Sequence, residues 1–264
     1  MIRLLHISDL HFGTVDSRLP EAVEAIAARL PPDAVIVSGD LTQRARAGQF
    51  DAAAAWLRRL PAPVLCVPGN HDAPLYNLVR RLAAPFAGYR RAFGPTEPGL
   101  TLPGVVVQGV NTANPLVWKS GLLRRSSAAR LAQAFAAAPA GALRIAVLHH
   151  APVPAADGTP ADMADPPATL DRLAATGAEV VLSGHTHMPH SGIAGQAQGM
   201  LFLQAGTAIS TRRKTGSNDL SVIEVAGPDL TLTSWVAPQG GAFAPRPPMR
   251  FRRQEGRWQA MGAG

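Results

Sequence analysis

Apolar and polar positions alternate along this chain in a repeating way: a short apolar run, then an abrupt stop on a polar residue. Residues 2–8 run into Asp9 and His11, residues 34–39 into Asp40, and residues 64–69 into Asn70, His71 and Asp72. Residues 145–148 run into His149 and His150, and residues 180–184 into His185 and His187. Runs this short and this continuously apolar predict strands buried on both faces. Helical periodicity fills the spaces between them. Residues 19–30 put Val23, Ile26, Ala27 and Leu30 on one face, and residues 50–60 do so with Phe50, Ala54, Leu57 and Leu60 before Pro61 and Pro63 end the helix. Residues 75–82 read as a short helix, followed by an aromatic-basic stretch at 86–93. Residues 105–110 read as a buried strand, 126–138 as a helix capped by Ser126 or Ser127, and 166–175 as another helix.

The last third changes period. Residues 200–204, 219–225 and 230–236 are short runs rich in β-formers, with a turn at Gly227-Pro228 and no helical pattern among them. Strand–helix alternation followed by a β-rich part predicts an α/β (α+β) fold, a four-layer αββα sandwich of two mixed β-sheets flanked by helices. Residues 1–237 are read as one domain, and the Gly/Pro/Arg-rich residues 238–264 as a weakly structured tail or lid.

Composition adds little to the fold and more to the setting. With 264 residues, 47% of them hydrophobic, the chain can bury a large core. The formal charge is +7, carried almost wholly by arginine, since Lys119 and Lys214 are the only lysines. Arginine excess favours planar anionic groups such as phosphate, although charge alone does not single out nucleic acid. Cys66 is the only cysteine, so no intrachain disulfide can form, and its apolar surroundings predict a buried thiol. No apolar stretch reaches membrane-span length, and because the first strand begins at once no cleavable signal is expected. Cytoplasmic residence is the expectation.

Five strand ends that pool carboxylate, amide and imidazole groups at one rim predict a dinuclear metal hydrolase. The candidate ligands are Asp9, His11, Asp40, Asn70, His149, His185 and His187. That mixture suits Mn, Fe, Zn or Co, and the absence of a thiolate argues against a structural zinc site. Asp40, central in the set, could bridge two ions about 3.5–4 Å apart, which together hold both ends of an in-line displacement at phosphorus. His6 and His190 are expected to be structural. His150 is expected in a supporting position, pointing away from its neighbour.

Asp9-Leu10-His11, Gly39-Asp40, Gly69-Asn70-His71-Asp72, His149 and Gly184-His185-Thr186-His187 together resemble the ordered signature of calcineurin-like metallophosphoesterases. The resemblance implies their αββα sandwich and their ligand roles. Asp9, His11, Asp40 and His187 would hold one ion, and Asp40, Asn70, His149 and His185 the other. His71 would be the acid that assists the leaving oxygen. Gln43 stands where the protein-phosphatase branch has a second aspartate, which argues against that branch. Residues 5–11 and 121–123 look more like class III cyclic-nucleotide phosphodiesterases and their glycerophosphodiesterase relatives.

The resulting expectation is a phosphodiesterase acting on a small or nucleotide-like phosphodiester through a metal-bridging hydroxide. Arg44, Arg46, Asn77 and Arg80 are the candidate substrate-binding residues, with Asp72 shaping the loop. Arg90, Arg91, Arg212, Arg213 and Lys214 form a candidate anionic groove. A metal-dependent nuclease would use the same centre, but no long basic groove with interleaved aromatics supports nucleic acid as the preferred partner. A nucleotide-lipid pyrophosphatase in peripheral contact with a membrane would need an apolar lid, for which residues 238–258 are the candidate. A non-catalytic scaffold of the same fold would be expected to lack part of the ligand set.

Overall fold

The computed structural model describes residues 1–194 and 199–262. In chain order the elements are β1 (Ile2–Ile7), α1 (Leu19–Arg29), β2 (Ala34–Val37), α2 (Ala47–Leu57), β3 (Val64–Cys66), α3 (Leu78–Ala83) and α4 (Ala87–Phe93). There follow β4 (Gly99–Leu102), β5 (Val105–Gly109), α5 (Arg125–Ala136), β6 (Leu143–Val147), α6 (Pro166–Ala175), β7 (Val180–Ser183) and β8 (His190–Ala194). The chain closes with β9 (Met200–Gln204), β10 (Ser217–Ala226), β11 (Asp229–Pro238), β12 (Ala244–Pro245), β13 (Met249–Gln254) and β14 (Arg257–Met261).

Two mixed sheets result. The first runs β14-β13-β11-β10-β1-β2-β3, with β12 on β11, and the second runs β4-β5-β6-β7-β9-β8. In the first, β1, β2 and β3 are parallel; in the second, β5, β6, β7 and β9 are. Parallel strands must be covered on both faces, and the core is split accordingly. One apolar layer, with Leu4, Ile36, Val107, Ile145 and Leu182, lies between the sheets. Another packs α1, α2 and α4 on the first sheet through Val23, Phe50, Trp56 and Tyr89. A third packs α5 and α6 on the second sheet through Leu131, Phe135 and Leu173. The αββα layering expected from the pattern is present, and the five ligand runs are β1, β2, β3, β6 and β7.

Several local expectations are corrected. Helix α5 starts at Arg125 without a serine cap, because Ser127 is buried and donates to Glu97 Oε1 at 2.7 Å. Helix α3 starts later than its periodicity implied, where the Asn77 side chain accepts from the Arg80 amide at 2.9 Å. Strands β4 and β8 carry too few apolar residues to be read from pattern. The largest correction concerns residues 238–264, expected to be a weakly structured tail or lid. Here β13 and β14 form a hairpin on β11, turning at Glu255 and Gly256 with φ 49° and 76°. Phe251 and Trp258 are buried, and Trp258 Nε1 donates to the Glu179 carbonyl at 3.0 Å. Glu179 lies just before β7, at the end of that strand remote from His185, so the hairpin is no lid over the ligand rim. Among the described residues, no helix is long and apolar enough to cross a membrane.

Candidate metal centre

Parallel strands present their carboxyl ends at one rim, and the loops leaving β1, β2, β3, β6 and β7 meet there. The backbone is bent to make them do so. Asp9, His11, Asp40, His185 and His187 all have positive φ, 52°, 45°, 51°, 76° and 60°. They are five of the nine non-glycine residues in that region among the described residues. Such conformations cost about 1–3 kcal/mol each and persist where surrounding structure over-determines them. The adjoining glycines are required by close approach. A Cβ on Gly69 would lie 2.1 Å from Asp40 Oδ1, and one on Gly184 would lie 1.9 Å from Ser8 Oγ and 2.6 Å from Asp9 Oδ2.

The side chains converge. His11 Nε2 stands 3.7 Å from Asp9 Oδ1 and 3.7 Å from Asp40 Oδ2. His149 Nε2 is 3.4 Å from Asp40 Oδ2, and His187 Nε2 is 3.4 Å from Asp9 Oδ1 and 3.3 Å from His11 Nε2. Asp40 thus lies between His11 on one side and His149 on the other. Asp9–His11–His187 and Asp9–Asp40–His149 each bring ligand-type atoms within 4.8 Å of one another. His185 reaches the rim differently: its amide donates to Asp9 Oδ2 at 3.0 Å, and its ring joins His149 and His150 in a third cluster.

These residues fit a cation centre. Asp9 Oδ1, Asn70 Oδ1 and His149 Nε2 are buried without a hydrogen-bond partner, a costly condition for polar atoms unless something binds them. Burial alone would push Asp9 and Asp40 up. Neighbouring imidazoles, chiefly His187 for Asp9 and His149 for Asp40, nonetheless hold both carboxyls well below the usual range. Burial likewise opposes charge on His149, yet Asp40 beside it raises that imidazole to about 9. The pocket stabilises positive charge next to two ionised carboxylates.

A supporting layer fixes ring orientation. His149 Nδ1 donates to the Ser38 carbonyl at 2.7 Å, His71 Nδ1 to the Gln43 carbonyl at 2.9 Å and His187 Nδ1 to the Arg212 carbonyl at 2.6 Å. Donation from Nδ1 leaves Nε2 of each ring as the lone-pair nitrogen, and in His71 that nitrogen accepts from Arg212 Nη1. Asp72 shapes the loop as expected: it accepts from the amides of Leu41, Thr42 and Gly69 and from Thr42 Oγ1. Burial pushes its carboxyl up to about 7. His71 Nε2 faces the cleft 3.1 Å from Arg212 Nη1, and burial lowers its pKa.

The placement of the other candidates is mixed. His6 is structural, buried with Nε2 2.9 Å from Ser38 Oγ, and His190 opens the edge strand β8. His150 does not point away. Its ring centre lies 4.4 Å from that of His185 and 4.8 Å from that of His149, because strand alternation ends at Val147. A cleft of about 550 Å³ opens over the ligands, lined by Arg44, Trp118, Lys119, Arg212 and Lys214 among others. Arg46, Asn77, Arg80 and Arg91 line a neighbouring cavity that shares Arg44 and Leu75 with the cleft. Arg213 is tied to Asp16, and Arg90 lines neither cavity. Asp162, 3.1 Å from His185 Nε2, was not legible in the sequence, since a lone aspartate in a Pro/Ala-rich loop carries no spacing signal.

The sequence model described as calcineurin-like phosphoesterase matches residues 2–189. A cAMP/cGMP dual specificity phosphodiesterase of Mycobacterium tuberculosis is 28% identical over 264 residues, covering 90% of this chain and 80% of that protein. A glycerophosphodiester phosphodiesterase of Enterobacter lignolyticus is 36% identical over 80 residues, a match spanning 26% of this chain and only 29% of that protein's length. Among solved structures, a purple acid phosphatase from yellow lupin, Lupinus luteus, superposes with a TM-score of 0.70 at 11% identity. That superposition covers 96% of this chain and 54% of the plant protein.

Proposed function

The chain belongs to the calcineurin-like phosphoesterase family, and from that premise we propose that it is a dinuclear-metal phosphodiesterase for a small or nucleotide-like phosphodiester. The observation that carries the reading is the convergence of buried Asp9, His11, Asp40 and His149 with half-buried His187, where Asp9 Oδ1 and His149 Nε2 have no hydrogen-bond partner. Asp9, His11, Asp40 and His187 would hold one ion, and Asp40, Asn70, His149 and His185 the other. Two ions supply Lewis-acid charge that activates water and offsets charge on the phosphoryl oxygens.

The rest of the chemistry belongs to the side chains. His71 keeps Nδ1 on the Gln43 carbonyl, so Nε2 is the nitrogen presented to a leaving oxygen. An anionic diester in the cleft opposes the effect of burial on His71 and favours the protonated ring that can give up its proton there. Arg212, beside His71, is placed to take charge from the departing oxygen. Arg44 lines the cleft itself, whereas Arg46, Asn77 and Arg80 lie one cavity away and would reach a distal part of the substrate. The Asn77 carbonyl oxygen is used to cap α3, which leaves only its amide hydrogens for a ligand.

The related proteins act on cyclic nucleotides and glycerophosphodiesters, which guides the choice of substrates. Protein reloaded with Mn, Fe or Zn is expected to cleave bis-p-nitrophenyl phosphate, and Asn70→Ala and His187→Ala are expected to abolish cleavage. Full activity in either variant would overturn the reading. A panel of cyclic nucleotides, glycerophosphodiesters, nucleotide-lipids and oligonucleotides then ranks the natural diester. Cleavage of none of them, together with absence of bound metal by elemental analysis, would point to a scaffold.

A further inference from the structure

Helix α3 is built inside out. Of its two arginines Arg80 is exposed but Arg81 is only 4% exposed, whereas Leu78, Val79 and Leu82 are 59%, 78% and 64% exposed. A surface helix ordinarily turns its aliphatic residues inward and shows its arginines to water. Here Arg81 reaches into the protein and donates to three carbonyls, those of Pro115 at 2.6 Å, Val117 at 2.6 Å and Pro74 at 3.0 Å. Its guanidinium also lies 4.7 Å from the Trp118 ring centre. A buried guanidinium is tolerated because its donors are used, but an inward leucine would have needed no such provision.

The arrangement ties two loops into one face. Tyr76 precedes the helix, and Leu116, Val117 and Trp118 form the second loop that Arg81 grips. Seven of the ten large apolar side chains exposed among the described residues lie in these two short segments. Exposed apolar segments joined in this way through Arg81 mark an interaction surface. The charge around it is one-sided. Between Asp72 and Asp157 the sequence holds a single carboxylate, Glu97, against nine arginines and lysines. Glu97 is occupied by Arg130 and Ser127, while Arg80 and Lys119, next to the apolar residues, are exposed.

We propose that this face docks on an anionic lipid surface. Leu78, Val79, Leu82 and Leu116 enter the headgroup–acyl boundary, Tyr76 and Trp118 lie at the interface, and Arg80 and Lys119 meet lipid phosphates. Charge is what selects this occupant. Two copies packed face to face would set the same cations against one another, and Asp162, the carboxylate near Lys119, is engaged by His185. Trp118 and Lys119 also line the cleft over the metal ligands, so docking turns the cleft mouth towards the headgroups. The contact is peripheral, and it stands whether or not the cleft cleaves a diester.

The test is co-sedimentation of the full chain with vesicles of phosphatidylcholine alone or phosphatidylcholine mixed with phosphatidylglycerol. Binding is expected to the anionic vesicles, to weaken with salt, and to fall at least about tenfold in Leu78→Ser/Val79→Ser/Leu82→Ser. Those three side chains line neither the ligand rim nor the cleft, so an unchanged circular-dichroism spectrum and melt report that the variant has folded. Arg80→Glu supplies a second arm that leaves the apolar residues in place, and it too is expected to lose anionic-vesicle binding. Absence of wild-type binding, or binding untouched by both variants, overturns the proposal. So does a dimer, seen by light scattering, that the triple variant dissolves while vesicles bind neither protein.

Discussion

Strands β6 and β7 carry polar residues at both ends, and the two ends are treated in opposite ways. At their starts, Glu179 Oε1 takes Arg253 at 2.7 Å and Oε2 takes Arg144 at 3.2 Å, while the Glu179 carbonyl accepts from Trp258. At their finishes, His149 and His185 open into a rim where buried ligand atoms lack partners and five non-glycine residues hold positive φ. One end is satisfied and relaxed; the other is strained and electrostatically incomplete. The difference separates what stabilises the fold from what the fold is built to hold. It also predicts that mutations at the two ends fail in different currencies: stability at one, metal and activity at the other.

The strongest break of that comparison is at Asp40. Asp40→Asn keeps the shape but removes the charge between His11 and His149, and diester hydrolysis is expected to fall by about 10²–10³-fold with little loss of melting temperature. Steady-state kinetics and thermal melts of the same sample check both halves. Gly184→Ala should come next: the new methyl would collide with Ser8 and Asp9, so metal affinity is expected to fall by about 10–100-fold. A metal titration followed by activity measures it. At the opposite end, Glu179→Ala strips the partner from Arg253 and Arg144. It is expected to cost about 2–4 kcal/mol in denaturant unfolding while activity per folded molecule is retained.

The smallest effect, taken per unit of pH, is a pH dependence. Burial pushes the Asp219 carboxyl up to about 7, and its Oδ2 has no partner. Between the unfolded value near 4 and the folded value near 7, the native state holds a proton that the unfolded chain releases. Stability therefore falls as pH rises through that window and levels off above it, by up to about 1.4 kcal/mol per unit. Asp219→Asn, whose side-chain oxygen can still accept from the Gly206 amide, is expected to remove this slope in unfolding curves taken across the window.

The clustered rim was largely legible in the sequence because every candidate ligand follows closely on an apolar run, where strand periodicity fixes its place. The two-sheet sandwich followed from the same runs and from the change of period after residue 200. The opposite end was not legible. Glu179, Arg144 and Arg253 are remote in sequence, and only the pairing of β13 with β11 and of β14 with β13 brings Arg253 to Glu179. Gly/Pro/Arg-rich composition suggested a loose tail because it registers the turns more strongly than the two buried aromatics, Phe251 and Trp258. His150 was misplaced because alternation was extended past the last strand residue. The α3 segment has a short helical pattern, but nothing in that pattern announces that Arg81, of its two arginines, faces in.

The central claim is that the rim, and not the satisfied end, is built to hold two metal ions. Calorimetric titration of metal-stripped protein with Mn²⁺ or Zn²⁺, run on wild type, Asp40→Asn and Glu179→Ala, tests it directly. Two ions per chain are expected for wild type and Glu179→Ala, with at least one site lost in Asp40→Asn. No specific binding by wild type, or two undiminished sites in Asp40→Asn, would contradict it.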